Sequence, residues 1–184
     1  MKEFFKNRSF KYIVIFIVLI IFYGAMISKP AITMMFGQEV LIKTRAYDPR
    51  DVFRGDYIQL FYDINEISFE KMDKEMIKLL EENAYGYHDK EIFVILAQHG
   101  KYFDVEEVTL SKPEDKLYIK GRISYITLNG NDKVNTIVVE YSLDKYFVPE
   151  NTGKELEDKV MKGEAFALIK VFKGYALLLD VIAE

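Results

Sequence analysis

Residues 12–28 run for 17 positions without a charged side chain, and no other feature of the chain constrains its fold so strongly. At about 1.5 Å rise per residue, a helix of that length covers roughly 25 Å, a little less than a hydrocarbon core of about 30 Å. Tyr12 and Tyr23 at interfacial depth, and Lys29 reaching outward along its stem, make up the difference. Residues 13–22 are apolar on every face, whereas a helix packed on a small soluble core keeps one face polar. A secretory signal has a shorter apolar core and a small-x-small cleavage site; residues 24–30 make a poor one, so the segment reads as an uncleaved anchor.

Lys2, Lys6, Arg8 and Lys11 stand before this run against a single Glu3, and Lys29 follows it alone. The positive-inside rule then places the N-terminus in the cytoplasm and the rest of a single-pass cell-membrane protein outside. The expected organisation is a cytoplasmic basic tail (1–11), a transmembrane anchor (12–28), a juxtamembrane segment (29–38) and an extracytoplasmic domain (39–184). Removing the +3 of the tail from the overall −4 leaves −7 for everything beyond it. So acidic a sum argues against nucleic acid or anionic lipid as a partner of the domain. The absence of cysteine excludes a disulfide scaffold, a thiolate metal site and a cysteine nucleophile, and two histidines argue against a histidine-rich metal centre.

Periodicity beyond the anchor is mostly that of strands. Residues 39–47 and 56–64 alternate and are expected as two central strands; in the second, Tyr57, Gln59, Phe61 and Asp63 share one side and Ile58, Leu60, Tyr62 and Ile64 the other. Phe69, Met72, Met76, Leu79 and Leu80 fall at helical spacing, predicting a helix over 68–83 with Ser68 as N-cap and Asn83 as stop. A loop over 84–90 and strands over 91–98, 102–110, 117–127 and 135–143 follow. The last two are joined through Asn129 and Gly130, a pair that accepts positive φ. A short helix is expected over 152–161, then a hairpin of 165–172 and 175–182 about Lys173 and Gly174. The sum is a β-dominated α+β fold: one compact, mostly antiparallel β domain with two short helices, preceded by one transmembrane helix.

Two segments carry the most specific pattern. Gly55, Asp56, Tyr57, Leu60 and Tyr62 spell G-D-Y-x-x-L-x-Y, and Asp48, Pro49, Arg50, Asp51, Val52, Phe53 and Arg54 lead into it. Further on, Tyr146, Phe147, Val148, Pro149, Glu150, Asn151, Thr152, Gly153, Lys154 and Glu155 form a second block. Together they resemble the GDYXXLXY protein family over residues ~40–182, with Asn151 where that family usually has Gly. Asn tolerates left-handed φ, so the turn is expected to survive the change. The resemblance implies a membrane-anchored bacterial protein of the cell envelope, assigns no reaction, and points to a polytopic membrane protein as partner alongside the lipid bilayer.

Several constellations carry residue types capable of chemistry. Asp48, Asp51 and Asp56 do not have calcium-loop spacing, and Arg50 and Arg54 stand close enough to neutralise them, so a tight ion-paired bend accounts for the group. Arg54, Gly55 and Asp56 also spell an integrin tripeptide, discounted because it opens a buried-looking strand. Ser28 beside Lys29 lacks the downstream lysine that a Ser–Lys peptidase needs. His88 near Asp89 and His99 near Asp104 lack a third partner. No catalytic, metal or cofactor site is expected. The segment Tyr146, Phe147, Val148, Pro149 and Glu150 reads equally as a docking lip or a core plug, with Thr152 and Glu155 forming a capping box. The expected role is that of an accessory or assembly domain; the alternative is an envelope hydrolase built on Asp51, Asp56 and Glu150.

Overall fold

The structure, a computed structural model, describes residues 8–45, 57–130, 134–143, 145–147 and 165–183. It opens with α1 (Arg8–Phe36), a single helix of 29 residues. Every side chain from Lys11 to Lys29 is exposed, and the stretch Lys11–Phe36 is long and apolar enough to cross a membrane. Pro30 removes one backbone donor, but the helix continues for another six residues beyond it. The segment expected as a juxtamembrane linker is therefore largely the last turns of α1.

Eleven strands follow: β1 (Gln38–Arg45), β2 (Tyr57–Gln59), β3 (Phe61–Tyr62), β4 (Glu66–Ser68), β5 (Glu91–His99), β6 (Tyr102–Thr109), β7 (Tyr118–Leu128), β8 (Val134–Glu140), β9 (Lys145–Phe147), β10 (Ala165–Phe172) and β11 (Tyr175–Ala183). They form a four-stranded sheet in the order β11-β10-β1-β3, a five-stranded sheet in the order β4-β8-β7-β5-β6, and a ribbon of β2 with β9. All these pairings are antiparallel. The fold is thus β-dominated α+β, as the sequence predicts.

Alternation explains the core. Val40 and Ile42 of β1 and Ala167, Ile169 and Val171 of β10 turn inward from one sheet, and Ile92, Val94, Ile119, Ile123, Ile137 and Val139 from the other. Helix α2 (Lys74–Asn83) adds Met76 and Leu80 to the same cluster. On the opposite face of the five-stranded sheet, Phe93, Ile95 and Tyr118 make a smaller cluster of their own. The turn between β10 and β11 has φ 49° at Lys173 and 84° at Gly174. Positive φ at both central residues of a two-residue loop matches the right-handed twist of the strands it joins.

Three expectations need correction. Residues 56–64 do not form one central strand: β2 pairs only with β9, and β3 is the edge of its sheet. The reason is Asn65, whose Oδ1 accepts from the Tyr62 backbone N–H at 2.6 Å and whose Nδ2 donates to the Val139 carbonyl at 2.7 Å. A side chain has taken the place of a ladder partner, and a short 3₁₀ turn (Asp63–Asn65) follows. The side assignment nevertheless holds, since Leu60, Tyr62 and Ile64 are all buried.

Likewise, α2 starts at Lys74, not after Ser68; residues Phe69–Lys71 form a separate 3₁₀ turn. Asp73 is the true cap, its Oδ1 accepting from the Met76 N–H at 2.6 Å. Asn83 does close the helix, and its Oδ1 accepts from the Gly86 N–H at 3.1 Å. The loop expected over 84–90 begins with a further 3₁₀ turn (Ala84–Tyr87). The short helix expected over 152–161 lies outside the described residues.

Candidate functional site

The G-D-Y-x-x-L-x-Y string and the aromatic segment that follows Asp144 lie some ninety positions apart in sequence, yet the fold joins them. Tyr57 pairs with Phe147, Ile58 with Tyr146 and Gln59 with Lys145. Immediately beyond, the Tyr62 hydroxyl donates to the Leu143 carbonyl, so the motif strand and the segment entering β9 are held together twice. Leu60 is buried beside this junction in the sequence. The motif residues Asp48, Pro49, Arg50, Asp51, Arg54, Gly55 and Asp56 lie outside the described residues, as do Val148, Pro149, Glu150, Gly153 and Glu155.

The histidines sit apart from any such junction. His88 and His99 are exposed. Asp89, beside His88, faces Arg122 at 3.3 Å, and Asp104 accepts from Lys71 at 3.0 Å. Burial pushes the Asp104 carboxyl up, but the Lys71 hydrogen bond, the Val105 N–H and the charges of Lys71 and His99 outweigh it and hold its pKa below the usual value. Among the described residues, no group of three or more His, Cys, Asp or Glu side chains could hold a metal ion.

One concavity was not foreseen from sequence. A cavity of about 790 Å³ opens where the end of α1 meets the domain. Lys29, Ile32 and Thr33 come from the helix. Tyr118, Lys120 and Arg122 come from one face of β7, which alternation aims away from the core. Lys173 and Gly174 supply the β10–β11 turn, and Lys112 the connection between β6 and β7. Among the described residues, five of the lining side chains are cationic, and only Glu91 and Glu140 are anionic.

Pairing leaves three of those cations without a carboxylate, one of which, Lys173, lies with its Nζ 5.5 Å from the centroid of the Phe172 ring. Lys120 contacts Glu91 at 2.8 Å, and Arg122 reaches out to Asp89. Glu140 accepts from the Ser124 hydroxyl at 2.8 Å. Lys29, Lys112 and Lys173 have no ion-pair partner among the described residues.

Tyr118 is the other notable lining group. It is 5 % exposed and packs edge-on against Phe93 with ring centroids 5.6 Å apart. Its hydroxyl is buried without a hydrogen-bond partner among the described residues. Gly174 closes over the ring: a Cβ there would lie 2.4 Å from Tyr118 Cε2. The Gly174 carbonyl also accepts from the Lys120 N–H at 2.9 Å, tying the hairpin turn to β7.

The joint between α1 and the β domain is equally specific. Thr33 is buried, the Gly37 N–H donates to the Thr33 carbonyl at 2.8 Å, and Phe36 packs on Phe172 with centroids 6.5 Å apart. Lys170 Nζ donates to the Met34 carbonyl at 2.8 Å, placing a cation where the helix leaves carbonyls unpaired.

Comparison with curated proteins and with solved structures gives no match. A family model described as GDYXXLXY protein matches residues 19–181, from within α1 to the penultimate residues of β11. With most of its length matched, and with the eight-residue string intact at 55–62, the chain belongs to the GDYXXLXY protein family.

Proposed function

We propose that this protein is a noncatalytic accessory or assembly subunit of the cell envelope. Its N-terminus lies in the cytoplasm, α1 spans the cell membrane, and the β domain lies outside. A polytopic membrane protein meets it along α1, with the segment Tyr146, Phe147, Val148, Pro149 and Glu150 as a second contact. The observation that carries this reading is the contrast along α1. Its apolar length is exposed on every face, while its last turn is fixed to the sheet through Thr33, Phe36 and Met34. A helix so joined passes a contact made in the bilayer directly to the domain, which a loose tether would not.

The test is affinity purification of the full-length protein from its native membrane in mild detergent, with mass spectrometry of what remains bound. A stoichiometric multi-span protein is the expected result. Recovery of the protein alone, from membranes where it is abundant and folded, would overturn the assembly role. Asp56→Lys adds a second readout: loss of folding or of the complex is expected, whereas a stable, fully associated protein that has lost an enzymatic activity measurable in the unaltered protein would favour a hydrolase.

A further inference from the structure

We propose that the cavity between α1 and β7 binds a phosphate-bearing anion, supplied by the headgroup of an anionic phospholipid. Three observations converge on this. First, the cavity's cations that lack a carboxylate partner among the described residues are donors: Lys29, Lys112 and Lys173 carry N–H groups and accept nothing, and the contact of Lys173 with the Phe172 ring leaves those N–H groups without an acceptor. Second, Tyr118 lines the cavity, and its buried hydroxyl has no hydrogen-bond partner among the described residues. Such a group normally has a partner, and a phosphoryl oxygen beside lysines is an acceptor of the right kind. Third, Lys29 directly ends the charge-free run of 17 residues, so a cavity that it lines sits at headgroup depth when α1 spans a bilayer.

The net charge of the domain argues the other way, and is outweighed by local arrangement. The acidic sum is spread over the whole domain, whereas the cavity lining has cations in excess. Interactions beyond about 8–10 Å are screened at physiological salt, so the groups lining the site decide what it holds. Ile32 beside Lys29 offers apolar contact for the glycerol end of a lipid.

The anion site does not depend on a protein partner; only its lipid source rests on α1 lying in the membrane. The experiment measures thermal stability of the full-length protein in detergent micelles doped with phosphatidylglycerol, with phosphatidylcholine, or with phosphatidylcholine plus inorganic phosphate. Two variants accompany it. In Lys112→Glu/Lys173→Glu, two exposed cations without ion-pair partners are reversed while the basic N-terminal tail is kept. Tyr118→Phe removes a hydroxyl that makes no bond in the unliganded protein, so folding is expected to be intact.

Saturable stabilisation by phosphatidylglycerol over phosphatidylcholine is expected, with affinity about tenfold or more weaker in each variant. The same variant-sensitive shift from inorganic phosphate, with no added effect of phosphatidylglycerol, would retain the anion site but overturn its lipid source. Stabilisation that neither variant changes, or none with either anion, would overturn the site itself.

Discussion

Tyr62 and Tyr141 clasp each other's segments. The Tyr62 hydroxyl donates to the Leu143 carbonyl, and the Tyr141 hydroxyl donates to the Ile64 carbonyl at 2.7 Å. Both phenols are buried, so each is an amphipathic peg whose ring fills the core while its tip satisfies a backbone acceptor. The clasp fastens the 3₁₀ corner after β3 to the end of β8, close to where β2 and β9 pair. It gives the final tyrosine of the family string a structural task.

Replacing Tyr62 with Phe should therefore cost about 1–3 kcal/mol, because the Leu143 carbonyl is left buried and unpaired. Asn65→Ala should cost at least as much, since it frees both the Tyr62 N–H and the Val139 carbonyl. Denaturant unfolding of the two single variants and the double variant would measure both costs. The two sites share a backbone segment, so non-additivity is expected. An unchanged midpoint for either single variant would refute its assigned role.

Lys170→Met should leave the β domain folded while loosening its joint with α1. Methionine keeps the apolar stem but cannot donate to the Met34 carbonyl or face Glu39, whose carboxylate lies 3.8 Å from Nζ. Hydrogen exchange at Phe36 and Gly37 should accelerate about tenfold, with amides in β5 and β7 unaffected, on the net worth of one charge-assisted bond. Uniform acceleration throughout the domain would mean that Lys170 is a core stabiliser and not a local fastener.

Gly174→Ala is expected to destabilise the domain by about 2 kcal/mol or more. Its φ of 84° disfavours any L side chain, and the added methyl would meet the Tyr118 ring at 2.4 Å. Lys173→Gly is the informative companion, because it relieves a positive φ at the neighbouring position and should be tolerated within about 0.5 kcal/mol. Equal losses from the two changes would contradict this account of the turn.

Two titrations bracket the pH range of stability. Asp104 has a depressed pKa in the folded state, so its contribution is present above the unfolded value and is lost as pH falls through the folded one. Asp104 and Lys71 are 50 % and 36 % exposed, so solvent and salt leave only a few tenths of a kcal/mol in that pair. Tyr141 moves the other way: burial pushes its pKa well above the usual value of about 10. Its contribution is complete below that usual value and is lost as pH rises through the folded one. Melting temperature followed from acid to strongly alkaline pH should therefore fall at the alkaline end. Tyr141→Phe should lower stability at neutral pH but flatten that alkaline fall. An alkaline limb with the same slope in the variant would assign it to another group.

The long apolar helix, most strands and the hairpin about Lys173 and Gly174 were legible in the sequence, because each rests on local physics. A charge-free run must leave water, alternation in residues 165–172 must put one side into a core, and positive φ favours glycine at a turn. The shared side of Leu60, Tyr62 and Ile64 followed from the same alternation, and the structure shows that side to be the buried one. Alternation does not say where a ladder ends. The break after β3 depends on Asn65 finding the Val139 carbonyl, and the cap of α2 on Asp73, not Ser68, presenting an oxygen to Met76. The pairing of Tyr57 with Phe147 and the gathering of Lys29, Lys112, Tyr118 and Lys173 around one cavity are contacts between distant parts of the chain. No local period encodes such contacts. They exist because two sheets and the end of a membrane-length helix must close over one core, and that closure is decided only in the tertiary structure.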